Sequence, residues 1–468
     1  MLKPTCILLL TALGLAISPL PAADAIPRLQ PNIIFILIDD LGWADGDCFG
    51  SQFYRTPQLS RLAAGGMRFT QAYAACAVCS PTRAALMTGK VPARLHITDW
   101  IAGEGAPKDS RFRVPDWQQH LPLEETTIAE ALKPLGYRTA AIGKWHLGEK
   151  GFFPQDQGFD VNVAGRDIGH PASYWWPYGA TNATHRVTPL ADTGGKSGEY
   201  LTDRLTDEAL RFVEANQTNR FFLYLAHYAV HSPLMGKEEV AETYRQRGGA
   251  NGQSNAVYAA MTQSVDDSVG RVLDKVQALG LADRTLVIFT SDNGGAVHFG
   301  KPAATSNAPL RNGKGTAYEG GLRVPLLVKI PWMTRPGSVC DVPVITHDWF
   351  PTLLDLANTP PRSSLDGVSL VPLLQGSDRL PERDLCWHYP HYWNGGKVSP
   401  YSVIRSGDWK LIRFYETDRE ELYNLRADLS ETKDLAAQET EKRLELAGRL
   451  DRWLTSVGAQ MPVKKLPN

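Results

Sequence analysis

The stretch NIIFILIDD, Asn32 to Asp40, decides how the rest of the chain is read. Its first seven residues, Asn32 to Ile38, form a near-continuous apolar and β-branched run. It lacks the alternation of a half-exposed strand, so it reads as a strand buried on both faces, as in a parallel sheet. Asp39 and Asp40 follow at once. On a continuing strand their side chains would point to opposite faces, so both reach one target only if the strand has ended and the chain turns. Turned together they suit a cation; apart, each is a turn residue or a helix cap.

Further along, Arg138 to Ile142 and Leu286 to Thr290 are similar buried runs, the first after a helical pattern ending at Gly136, the second after the helically spaced segment Ala256 to Leu279. Strands alternating with helices predict an α/β fold. Asp292 and Asn293 repeat the carboxylate arrangement after the strand ending at Thr290, with Gly294 and Gly295 allowing a tight turn. Two pairs at strand ends outweigh the turn reading of either alone, because ligands of open α/β sheets gather outside the carboxyl ends of strands. Four oxygen-bearing ligands suit Ca²⁺ or Mg²⁺ better than zinc.

The 468 residues, with 43% apolar and 21% charged content and a net charge of −1, describe a large globular protein without the basic excess of a nucleic-acid binder. Residues 1–25 read as a secretory signal: Lys3, the apolar stretch from Cys6 to Ile17, and a small-residue cleavage site at Ala23 to Ala25. That stretch is too short to span a bilayer, so the expectation is an exported chain, periplasmic or secreted, with no membrane span after processing. Cys48, Cys76, Cys340 and Cys386 allow three pairings, and disulfides are permitted but not required.

Cys79-Ser80-Pro81-Thr82-Arg83, followed by Ala84 to Gly89, resembles the segment in which type I sulfatases convert a cysteine to formylglycine. The block from Gly136 to His146 is similar to the second signature of that family, and it places Lys144 and His146 on one face if the segment is extended. His231 and Lys314 stand at positions similar to family ones, and the likeness covers Asn32 to about Pro325. It implies an alkaline-phosphatase-like α/β fold, a central mixed sheet sandwiched by helices. Residues 26–380 would be the catalytic domain and residues 381–468 a smaller C-terminal α+β subdomain, with strands at Tyr401 to Arg405, Trp409 to Phe414 and Leu422 to Leu425 and a helix near Glu439 to Leu454.

The resemblance also implies a reaction. Formylglycine derived from Cys79 by a formylglycine-generating enzyme is hydrated to a diol that attacks sulfur, and one calcium ion is held by Asp39, Asp40, Asp292, Asn293 and residue 79. Arg83 orients the diol, Lys144 and Lys314 bind sulfate, His146 takes a proton, and His231 or Lys314 protonates the leaving alcohol. The substrate is expected to be a sulfated carbohydrate of galactose or N-acetylgalactosamine type, or an aryl sulfate. The aromatic run Tyr174, Trp175, Trp176 and Tyr178 is either a hydrophobic plug or a sugar platform, and with His170, Trp393 and Arg405 it is the candidate substrate surface. The rival readings are a phosphonate or phosphate monoester hydrolase of the same superfamily and a catalytically silent glycan-binding protein.

Overall fold

The computed structural model describes residues 30–188, 190–360 and 365–465; the expected signal segment lies outside them. Asn32–Ile38 is a strand at the centre of a nine-stranded sheet. The order across the sheet is Val344–Ile345, Met67–Tyr73, Arg323–Lys329, Thr285–Ser291, Asn32–Ile38, Phe221–Ala226, Arg138–Gly143 and Val161–Val163, with Ser338–Cys340 also pairing with Met67–Tyr73. Arg323–Lys329 runs antiparallel to both neighbours, which makes the sheet mixed.

The apolar run is explained by what covers it. Ile34, Ile36 and Ile38 enter one core with residues of the helices Leu201–Ala215 and Ala256–Ala278. Ile33, Phe35 and Leu37 enter another, shared with the helices Cys79–Thr88, Ile128–Leu132 and Trp349–Leu356. Alternate residues thus face opposite helical layers, and neither set is left to water.

A four-stranded antiparallel sheet follows, Asp384–Tyr389, Tyr401–Ser406, Trp409–Phe414 and Arg419–Asn424. One face packs on the helix Thr440–Ser456 through Ile404, Leu411, Leu446 and Leu450. The other packs on the large sheet's side of the molecule through Trp387, Tyr401, Tyr73 and Val78. Asp384–Tyr389 was absent from the expected strands, and the expected Leu422 to Leu425 piece begins earlier, at Arg419. Cys48, Cys76, Cys79, Cys340 and Cys386 are all free thiols.

Candidate active site

Four adjacent parallel strands end at one place. The loops after Arg138–Gly143, Phe221–Ala226, Asn32–Ile38 and Thr285–Ser291 carry Lys144, His231, Asp39 with Asp40, and Asp292 with Asn293. Asp40 has φ 64°, a left-handed conformation that aspartate tolerates better than most residues. That turn brings Asp40 back beside Asp39: ligand atoms of Asp39, Asp40, Cys79 and His231 all lie within 4.8 Å of one another. At the end of Arg138–Gly143 the chain passes so close to Ala226 that a Cβ on Gly143 would sit 1.8 Å from the Ala226 carbonyl oxygen, and φ there is +103°. Gly294 is likewise a matter of space: a Cβ would meet the Gly320 carbonyl at 1.8 Å, and that contact seats the loop bearing Lys314.

Cys79 opens the helix Cys79–Thr88, every residue of which is buried, and its Sγ lies 3.7 Å from Asp39 Oδ1. Burial pushes its thiol up to about 12, so as a plain cysteine it holds its proton. The three buried carboxylates each face a buried cation. Arg83 Nη2 is 2.7 Å from Asp292 Oδ2, Lys144 Nζ is 2.6 Å from Asp39 Oδ2, and Lys314 Nζ is 2.7 Å from Asp40 Oδ1. Burial raises Asp39, and Asp292 and Asp40 add to this against the pull of Lys144. Burial also acts to raise Asp40, but Lys314 and His231 outweigh it and hold the group low.

The donors suit a hard cation. Asn293 donates its amide Nδ2 to Asp40 Oδ1 at 2.8 Å, while its Oδ1 is buried with no hydrogen-bond partner. An orphaned carbonyl oxygen beside three carboxylates is what a Ca²⁺ or Mg²⁺ ligand set supplies, and it fits Asp39, Asp40, Asp292 and Asn293 as candidate holders.

His146 has φ 60°, so the segment from Lys144 is not extended and the two side chains do not share a face as expected. Lys144 turns to Asp39, while His146 Nε2 donates to the Ile101 carbonyl in a short bond, leaving Nδ1 buried and unpartnered. Ser80 ties these pieces together, donating to the His146 carbonyl at 2.9 Å and accepting the Ile101 N–H at 3.1 Å. Burial first, and then Lys144, depress the His146 pKa well below its ordinary value, so the ring is neutral. His231 donates Nδ1–H to the Ser232 carbonyl at 2.8 Å and presents Nε2 to Asp40 Oδ2 at 3.6 Å. Behind the Ile101 wall, Asp99 Oδ1 accepts the Trp100 N–H at 2.8 Å and the Tyr389 O–H at 2.9 Å, which ties that wall to the C-terminal sheet.

A cavity of about 770 Å³ opens above Cys79, lined by His146, His170, His231, Lys314 and Trp393 among others. Two of the expected substrate-surface residues, His170 and Trp393, are therefore in place. Trp175, Trp176 and Arg405 are not. Trp175 and Trp176 pack against the large core, Trp175 with its ring 4.9 Å from that of Tyr200. Tyr174 donates to the Tyr228 and His231 carbonyls at 2.6 and 2.8 Å, so the aromatic run supports the His231 loop from behind. Arg405 is buried between the two sheets, where it bonds Tyr73 and Gln71. Trp100, Ile101, Glu149, Asp167 and Phe299, which no sequence signal singles out, also line it; they lie in loops with no periodicity to mark them.

Residues 31–359 match the sulfatase family model, and residues 313–459 match that of the N-sulphoglucosamine sulphohydrolase C-terminal region. The chain is 36% identical to human arylsulfatase A over 88% of its own length and 78% of that protein. It is 35% identical to human N-acetylgalactosamine-6-sulfatase, over 78% of this chain and 72% of the relative. The crystal structure of Ps i-CgsB in complex with k-i-k-neocarrahexaose superposes with a TM-score of 0.76 at 30% identity, covering 91% of this chain and 93% of the other.

Proposed function

The chain belongs to the sulfatase family and is a sulfuric ester hydrolase, and from its site we propose that it removes sulfate from a sulfated carbohydrate of galactose or N-acetylgalactosamine type. In this reading residues 1–25 direct export to the periplasm or beyond, residues 26–380 carry the catalytic site, and residues 381–468 close it. The observation that carries the proposal is the convergence of Cys79, Lys144, His231 and Lys314 on one carboxylate cluster at the floor of a cavity whose wall holds Trp393 and His170. Relatives support the sugar: one is named for N-acetylgalactosamine 6-sulfate, and another structure holds a neocarrahexaose.

Formylglycine derived from Cys79 would supply an oxygen nucleophile and a second hydroxyl through which sulfate could be released. Asp39, Asp40, Asp292 and Asn293 would hold a calcium ion, which would supply Lewis-acid neutralisation of the sulfate oxygens. The protein's own groups do the rest. Lys144 and Lys314 bring two ammonium groups to the floor of the cavity, where sulfate oxygens sit. Arg83, held by Asp292 and the Lys144 carbonyl, keeps the cluster in register with residue 79. His146, with Nε2–H committed to Ile101, offers the Nδ1 lone pair as proton acceptor. Of the two candidates for protonating the departing alcohol, Lys314 carries a proton to give, whereas His231 has its Nδ1–H committed to Ser232 and a bare Nε2.

The test pairs chemistry with substrate. Sulfate release is compared with phosphate release from matched esters of galactose, N-acetylgalactosamine and nitrophenol, and the Cys79 peptide is weighed for the loss of about 18 Da that separates an aldehyde from a thiol. Preferred hydrolysis of the sulfated sugars by protein carrying the lighter peptide is expected. A preference for phosphate, or full activity with an intact thiol, overturns the reading.

A further inference from the structure

The cavity above Cys79 separates charge along its depth. Lys314 reaches its floor, and the buried Arg83 and Lys144 lie behind that floor, each of the three committed to a carboxylate. Its wall is different. Among the described residues lining the cavity, Lys314 is the one lysine or arginine, and the acids Glu149 and Asp167 line the space above it. Glu149 is exposed and has no ion-pair partner among the described residues. Asp167 has Arg166 Nε 3.4 Å from its Oδ1, but Arg166 does not line the cavity, and its guanidinium also bonds Thr188. His170 is stacked between His185 and His231, with ring centroids 4.1 and 5.7 Å away, and its burial lowers its pKa.

Resting on the reading that the ester sulfate seats at the floor beside Cys79, we infer that Glu149 and Asp167 determine specificity, by excluding substrates whose alcohol carries a second anion. A neutral sugar presents hydroxyls to these carboxylates, which accept hydrogen bonds from them. A second sulfate or a carboxylate meets like charge with no lysine or arginine on the wall to pair with, and selectivity comes from this repulsive element. Because both acids are partly in solvent, each discriminates by about two- to fivefold, and salt weakens the effect.

The experiment measures kcat/KM at low salt for N-acetylgalactosamine 4-sulfate, its 6-sulfate and its 4,6-disulfate. In parallel it uses 4-nitrophenyl sulfate with and without a ring carboxylate. Wild type is expected to favour the singly charged member of each set by about tenfold, and the E149Q/D167N double variant to reduce that ratio at least fourfold, with E149Q alone between them. Added sodium chloride should compress the wild-type ratio and leave that of the double variant nearly still. An equal or higher rate on the doubly charged member, or a ratio untouched in the double variant, overturns the inference. If only the nitrophenyl pair is hydrolysed, the sugar assignment falls while the charge selection is still read from that pair.

Discussion

Lys410→Met probes a buried ionic contact between the C-terminal sheet and the segment that leads into Arg323–Lys329. Lys410 is buried, with Nζ 3.0 Å from Glu319 Oε1 and 2.8 Å from Glu431 Oε1, and both carboxylates are fully shielded from water. At these separations each pair is worth about 5–6 kcal/mol with an effective dielectric near 20. Most of that is offset by the cost of stripping water from the ammonium, and breaking a buried pair from one side leaves a net loss of about 3–5 kcal/mol. Glu319 keeps Arg323 at 2.9 Å and the Tyr73 hydroxyl at 2.6 Å, so the loss falls on Glu431, whose other oxygen has the Glu319 N–H at 2.7 Å. Burial, then the neighbouring Glu319 acting against Lys410, already raises the Glu431 pKa. A carboxyl raised in the folded state contributes stability that is present in acid and lost as pH rises through its folded value. Removing Lys410 raises it further, so the penalty should be smaller near pH 5 than near pH 8, and Glu431→Gln in the Lys410→Met background should recover part of it. Urea unfolding at the two pH values measures this. A loss under about 1 kcal/mol at both, or a larger loss in acid, refutes the reasoning.

Chelation should abolish turnover and lower the melting temperature, with calcium restoring both, and Asn293→Ala should raise the calcium needed at least tenfold; indifference to chelator removes the cation from the site. Tyr389→Phe deletes the hydroxyl that Asp99 accepts at 2.9 Å. It should cost about 1–2 kcal/mol in unfolding and lower kcat more than it raises KM, since the wall it supports carries the Ile101 carbonyl. Gly143→Ala forces a Cβ onto the Ala226 carbonyl and should cost at least about 3 kcal/mol by denaturant unfolding; a silent change there contradicts the strand-end packing.

The strands and the acid pairs were legible because their signals are local. A buried parallel strand must be apolar throughout, and residues just past its end have few structural uses for two carboxylates in a row. The condition for Lys144 and His146 to share a face, an extended segment, fails at one left-handed residue, His146, with no glycine at that position to announce it. Trp175, Trp176 and Arg405 are the residue types a sugar site uses, yet their side chains are equally suited to core packing. Only the tertiary closure around Tyr200 and Tyr73 tells which. Trp100, Ile101, Glu149 and Asp167 meet at the cavity from separate loops, a relation between distant segments that no single stretch of chain records.

The central position of Asn32–Ile38 also governs when the molecule can be assembled. Its two sheet partners, Phe221–Ala226 and Thr285–Ser291, lie far downstream. At the usual pace of translation the first of them emerges roughly ten to forty seconds later. The segment around Cys79, wholly buried in the finished protein, therefore spends most of that interval as accessible chain, beside an apolar strand that has nothing yet to pair with. Any enzyme that alters Cys79 has its opportunity then, and any chaperone that prevents aggregation of the strand is needed over the same interval.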